Sequence, residues 1–196
     1  AEAGIGSVKI GGDIRSSPTN GVTIDTDGGI GSVNVGGSIA GFAAPGLVAI
    51  QAFGQGVAPA KGTDLAIKTL KVGGSVEHAL ISLGDGAVRN ADASIGSISV
   101  GGDWIASDIQ AGISGGNDFQ VGNNDDVKVS GGNTRDNPAI FSSIGSICIK
   151  GQAIGTATTT DDMFGVVAER IGKAKVGGRT FAFKDGTNEA FFAAPT

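Results

Sequence analysis

A ten-residue segment recurs six times along the chain and restricts the possible folds more than any other feature. Its first copy reads Ile5-Gly6-Ser7-Val8-Lys9-Ile10-Gly11-Gly12-Asp13-Ile14. Further copies begin at Ile30, Ile67, Ile95, Ile144 and Ile171, at spacings of 25, 37, 28, 49 and 27 residues. The three short spacings define the unit; the two long ones read as the same unit carrying inserted chain. A period of this size, filled with short apolar runs, belongs to stacked repeats that bury their apolar faces against their neighbours.

Each copy alternates. Its fourth and sixth positions are apolar: Val8 and Ile10, Val33 and Val35, Leu70 and Val72, Ile98 and Val100, Ile147 and Ile149, Ala174 and Val176. The residue between them is Lys9, Asn34, Lys71, Ser99, Cys148 or Lys175. Period-two alternation predicts a strand with one buried and one wet face. The Gly-Gly that follows is expected to turn the chain, because glycine accepts positive φ. A second short stretch follows it, as in Ile39-Ala40 or Thr180-Phe181, and a third precedes the next copy, as in Val22-Thr23-Ile24 or Ala79-Leu80-Ile81. Three strands and three bends per unit predict an all-β chain folded as a single-stranded parallel β-helix of about six coils. The whole of 1–196 reads as one such domain, with an inserted loop or hairpin at 114–138.

These segments resemble the Ile-Gly-Ser-(Val/Ile)-x-Val-Gly-Gly-Asp repeats of large bacterial secreted and surface proteins of the β-helix type, adhesins and autotransporters among them. The resemblance covers most of the chain. It departs at Lys150, which stands in place of the first glycine of the fifth copy, and at Lys173 and Ala174 in the sixth. It implies a right-handed solenoid, a segment of a longer protein, secreted or on a bacterial cell surface, with a structural or adhesive role. Several parallel β-helix families are polysaccharide lyases or glycoside hydrolases, so an enzyme is the alternative. A self-assembling filament or surface-layer subunit, joined through the ends of the stack, is another.

Composition narrows the partners. The 36 glycines show no triplet period, which excludes collagen. Hydrophobic residues make up 40% of the chain, enough for a core. The net charge of −5 and the lack of a basic cluster argue against nucleic acid. No apolar run approaches the ~20 residues of a membrane span. The single cysteine, Cys148, cannot form an internal disulfide.

Candidate functional residues lie where the repeat is interrupted, because insertions into a stack become surface loops. The segment 114–138 is rich in Asn, Asp and Gly, and two alternating runs around Gly122 to Asp126 predict a hairpin projecting from the stack. Asp118, Phe119, Asn123 and Asn124 are candidate contacts for a glycan or a cell-surface protein, with Trp104 as a stacking platform for a sugar ring. Asp118, Asp125 and Asp126 are candidate Ca²⁺ ligands, since Ca²⁺ takes six to eight oxygens and such turns supply several; otherwise no cofactor is expected. Asp103 and Asp108 are the one local carboxylate pair available to an enzyme. The only histidine, His78, reads as a surface partner of Glu77.

Overall fold

The computed structural model describes residues 4–85, 89–116, 121–122, 125–155, 165–183 and 189–192. These residues form strands and bends, with no helix among them. The first unit supplies β1 (Ile5–Ile10), β2 (Ile14–Arg15) and β3 (Val22–Thr26). The second supplies β4 (Ile30–Val35), β5 (Ile39–Ala40) and β6 (Val48–Ala52). The third supplies β7 (Asp64–Val72), β8 (Val76–Glu77) and β9 (Ala79–Leu83). The fourth supplies β10 (Ala93–Val100), β11 (Trp104–Ile105) and β12 (Asp108–Ala111), then the inserted β13 (Ile113–Ser114) and β14 (Val127–Lys128). The fifth supplies β15 (Ser143–Ile149), β16 (Ala153–Ile154) and β17 (Gly165–Ala168). The last stretch holds β18 (Arg170–Ile171), β19 (Ala174–Val176), β20 (Arg179–Phe181) and β21 (Glu189–Phe192).

Equivalent strands stack in parallel. The first sheet runs β1-β4-β7-β10-β15-β19, the second β2-β5-β8-β11-β16 and the third β3-β6-β9-β12-β17. Register follows the repeat residue by residue: Val8 lies over Val33, Val33 over Leu70, Leu70 over Ile98, Ile98 over Ile147, and Ile147 over Ala174. The inward side chains of all three sheets form one apolar core. The outward positions, Lys9 through Lys175, occupy the other face of the first sheet. The sheets are those of the predicted parallel stack, and the arrangement is compatible with a β-solenoid.

The glycine pairs work differently from the expectation. Among the Gly-Gly pairs of the repeat only Gly177 and Gly178, at φ 54° and 83°, are left-handed. In the second to fourth units the pair is needed for close approach. A Cβ on Gly36, Gly73 or Gly101 would overlap the carbonyl oxygen of Gly11, Gly36 or Gly73 in the unit before. A Cβ on Gly37, Gly74, Gly102 or Gly151 would overlap the side-chain oxygen of Asp13, Ser38, Ser75 or Asp103. Those four oxygens form a ladder. Asp13 Oδ1 accepts the Ser38 amide at 2.7 Å, Ser38 Oγ the Ser75 amide at 3.1 Å, Ser75 Oγ the Asp103 amide at 3.0 Å, and Asp103 Oδ1 the Gln152 amide at 2.8 Å. The Ser38 amide, and after it the Arg15 guanidinium, hold the Asp13 carboxyl below the ordinary carboxylate range.

The two irregular units behave differently. Lys150 leaves its unit unchanged: its amide bonds the Val100 carbonyl at 3.0 Å, as glycine amides do elsewhere. The sixth copy, with its Val-Gly-Gly intact, is the one that breaks the pattern. Left-handed Gly177 and Gly178 make a two-residue reversal, and β20 returns antiparallel along β19, pairing Lys175 with Thr180. Thr180-Phe181 is therefore a returning strand, not the start of a second parallel face. Strand β21 likewise lies antiparallel on β17.

Replacing Gly101 by Ala drives a methyl into the Gly73 carbonyl and is expected to cost about 2 kcal/mol. A urea titration should show a lower midpoint at unchanged slope.

Candidate functional site

The chain's polar chemistry gathers at the bend between the third sheet and the next strand of the first. Asp64, at the head of β7, is fully buried. Its carboxylate accepts the Gln55 amide at 2.9 Å and Asn90 Nδ2 at 3.0 Å, and pairs with Arg135 Nη2 at 2.5 Å. Asn90 Nδ2 also donates to the Phe53 carbonyl at 2.6 Å. Arg135 is held by its backbone as well: its amide donates to the Arg89 carbonyl, and its carbonyl accepts the Ala91 amide. A buried carboxylate is tolerable only when paired and fully hydrogen-bonded, and Asp64 meets both conditions.

One unit on, buried Asp92 accepts the Asn137 amide at 2.9 Å. Burial, helped by the charge of Asp136, raises its pKa. Ser94 Oγ accepts the Ser143 amide, and Glu169 exchanges two hydrogen bonds with Ser142, at 2.8 and 3.1 Å. Lys128 reaches Asp136 at 2.9 Å and Glu169 at 3.2 Å. Burial alone would lower the Lys128 pKa, but bonds and charges from the two carboxylates outweigh it and raise it.

The described part of the inserted segment is thus fastened to the stack. Its antiparallel pair joins Ile113 to Lys128 and Ser114 to Val127. Val121 packs with Ile113 onto Val167, a residue of β17 that lies outside the main core. The backbone of 121–122 comes so close to Gly165 that a Cβ there would meet Gly122 Cα at 2.7 Å. Asp126 Oδ2 accepts the Gly122 amide at 2.8 Å, and Asp108 Oδ1 accepts the Gly165 amide at 2.8 Å. Burial pushes the Asp108 carboxyl up to about 7; the Gly165 bond opposes the rise and the charge of Asp126 adds to it.

The candidate residues separate into distinct places. Trp104 is only 3% exposed; it faces the core and donates its indole N–H to the Ser107 carbonyl at 2.8 Å, so it offers no face to a sugar ring. Its ring has space because small Ala153 is its neighbour in the next unit. Asp103 belongs to the oxygen ladder, and the carboxylate acting on Asp108 is that of Asp126. Asp118, Phe119, Asn123 and Asn124 lie outside the described residues. Asp125 and Asp126 sit at the turn before β14, and no group of three or more His, Cys, Asp or Glu among the described residues is placed to hold a metal. His78 stands at the corner after β8 with φ 48°, and its Nδ1 lies 3.8 Å from Glu77. Cys148 is a half-buried free thiol.

Two spaces remain. A polar hollow of about 100 Å³ is lined by Asp85, Arg89, Ser114, Lys128 and Ser130. Its cations are engaged, Arg89 with the Ser130 carbonyl and Lys128 with its carboxylates. An apolar cavity of about 20 Å³ lies in the core beside Trp104, Ile149 and Phe183. No described helix is long and apolar enough to cross a membrane.

Sequence reasoning missed Asp64, Asn90, Asp92, Arg135 and Glu169. The one local signal is the run Asn90-Ala91-Asp92-Ala93-Ser94, where polar residues alternate with alanines that are themselves fully buried. Comparison with protein-family models, curated proteins and solved structures found no significant match.

Arg135→Met leaves Asp64 buried without its counter-ion and is expected to cost roughly 3 kcal/mol. Adding Asp64→Asn should restore most of that in the same urea titration. Asp108 generates a pH effect. With its folded pKa raised above the unfolded value, its stabilising contribution is whole below about pH 4 and is lost as pH rises through about 7. Between pH 4 and 8 the Tm of the native chain should therefore fall relative to Asp108→Asn; parallel curves would refute the raised value.

Proposed function

We propose that the chain is a run of about six turns of a right-handed parallel β-solenoid. It serves as a structural and binding segment of a secreted or bacterial cell-surface protein. Each repeat unit corresponds to one turn, and the stack is the rigid part. The observation that carries this reading is the way the inserted segment is mounted. Arg135 pairs with Asp64 of the third unit, and Lys128 pairs with Glu169, which follows β17. Each ion pair holds the insertion to a different level of the stack. Val121 and Ile113 add an apolar contact on Val167.

Such a mount suits presentation more than catalysis. Among the described residues, the corner carboxylates of Asp64 and Glu169 are taken up by backbone amides and cations and Asp92 binds the Asn137 amide, while a glycosidase needs a carboxylate pair facing open space. Asp118, Phe119, Asn123 and Asn124, in the same segment, supply the proposed contacts with a glycan or a cell-surface protein. Export is supported by the likeness of the repeats to those of bacterial surface proteins.

The test is binding of the chain to an array of polysaccharides and surface glycans, with a variant carrying Phe119→Ala, Asn123→Ala and Asn124→Ala. The variant should bind at least about tenfold more weakly, which corresponds to about 1.4 kcal/mol, at unchanged Tm. Release of reducing or unsaturated sugars that stops on Asp108→Asn would identify an enzyme instead.

A further inference from the structure

In the second to fifth units three consecutive amides point back at the unit before. Gly36, Gly37 and Ser38 donate to the Ile10 carbonyl at 2.8 Å, the Gly12 carbonyl at 2.9 Å and Asp13 Oδ1 at 2.7 Å. Gly73, Gly74 and Ser75 repeat this on the second unit, and Gly101, Gly102 and Asp103 on the third. Lys150, Gly151 and Gln152 do so on the fourth. The same positions of the first unit are Gly11, Gly12 and Asp13. Their amides donate to no acceptor among the described residues.

Two further observations concern the same face. The glycines of later units are forced by the backbone or side-chain oxygens of the unit before, yet a Cβ built on Gly6, Gly11 or Gly12 meets nothing within 4 Å. Glycine within a strand, as at Gly6, costs roughly 0.5–1 kcal/mol relative to alanine, and all three glycines have nothing to make room for among the described residues. Apolar side chains agree. Val33 and Ile50 are 0% exposed, whereas their register partners Val8 and Ile24 are only partly buried.

We propose that this face of the first unit is a docking surface for one further parallel repeat unit. That unit presents two backbone carbonyls and an Asp or Ser side-chain oxygen to the amides of Gly11, Gly12 and Asp13. The proposal rests on the solenoid reading and adds the occupant's chemistry. The surface continues, position for position, the interface seen between the described units. A second copy of the chain fits poorly. Its far end offers antiparallel β20 and β21.

The test duplicates residues 5–29 immediately before Ile5, at the 25-residue register of the first two units, beside a control whose added 25 residues are scrambled. Hydrogen exchange at Gly11, Gly12, Asp13 and the β1 amides should slow at least about tenfold against the control. Gly11→Ala should shift the Tm of the original chain by less than about 1 °C. In the extended chain it should lower Tm as much as Gly36→Ala does. Unchanged exchange, or Gly11→Ala silent in both chains, overturns the proposal. So does a dimer of the original chain in sedimentation that Gly11→Ala abolishes. Failure of the solenoid reading itself would show separately, as a silent Gly36→Ala in the original chain.

Discussion

Successive units approach each other backbone to backbone, and most of the fold answers to that contact. Parallel strands about 4.8 Å apart leave little space for a Cβ where a carbonyl of one unit points along the stack at the next. Glycines occupy most of those positions, from Gly31 over Gly6 to Gly172 over Gly145, with Lys68 and Lys150 as the exceptions. Beside them runs the ladder of Asp13, Ser38, Ser75 and Asp103, each accepting an amide one unit on. A short Asp or Ser is needed there because its oxygen must reach a neighbouring amide without filling the glycine's space. The apolar column from Val8 to Ala174 then falls into line as a consequence of the same register.

The polar corner is the counterpart of that regularity. Where an insertion leaves the stack, backbone groups lose their equivalents in the neighbouring unit and need other partners. Asp64, Asn90, Asp92 and Glu169 supply them. Asp64 takes the Gln55 amide, Asp92 the Asn137 amide and Glu169 the Ser142 amide. The charges of Arg135 and Lys128 offset the cost of burying Asp64 and Glu169. The site is therefore a fastening first, and its bearing on binding follows from how firmly it holds the inserted segment.

Much of the fold was readable because the repeat is local. Alternation of Val8 and Ile10 around Lys9 identifies the strand and its inner face, and five more copies set the register. The glycine pairs answer to more than turn chemistry, which explains Gly177 and Gly178; the pairs of the second to fourth units answer to atoms about 25 to 37 residues away in sequence. Trp104 looked like a surface aromatic because its space in the core depends on Ala153, 49 residues further on. Asp64 and Arg135, 71 residues apart, carry no mark of their pairing.

The amino-acid sequence by itself determined the unit, its three strands and the apolar column, since these depend on neighbours within a few residues and on a period that any copy repeats. Only the tertiary structure decided where the stack turns back at β20, which carboxylates are buried and what holds the inserted segment down. Those outcomes depend on which atoms from distant units arrive at the same place, and the desolvation of a charge is set by that arrival rather than by the residue's own identity.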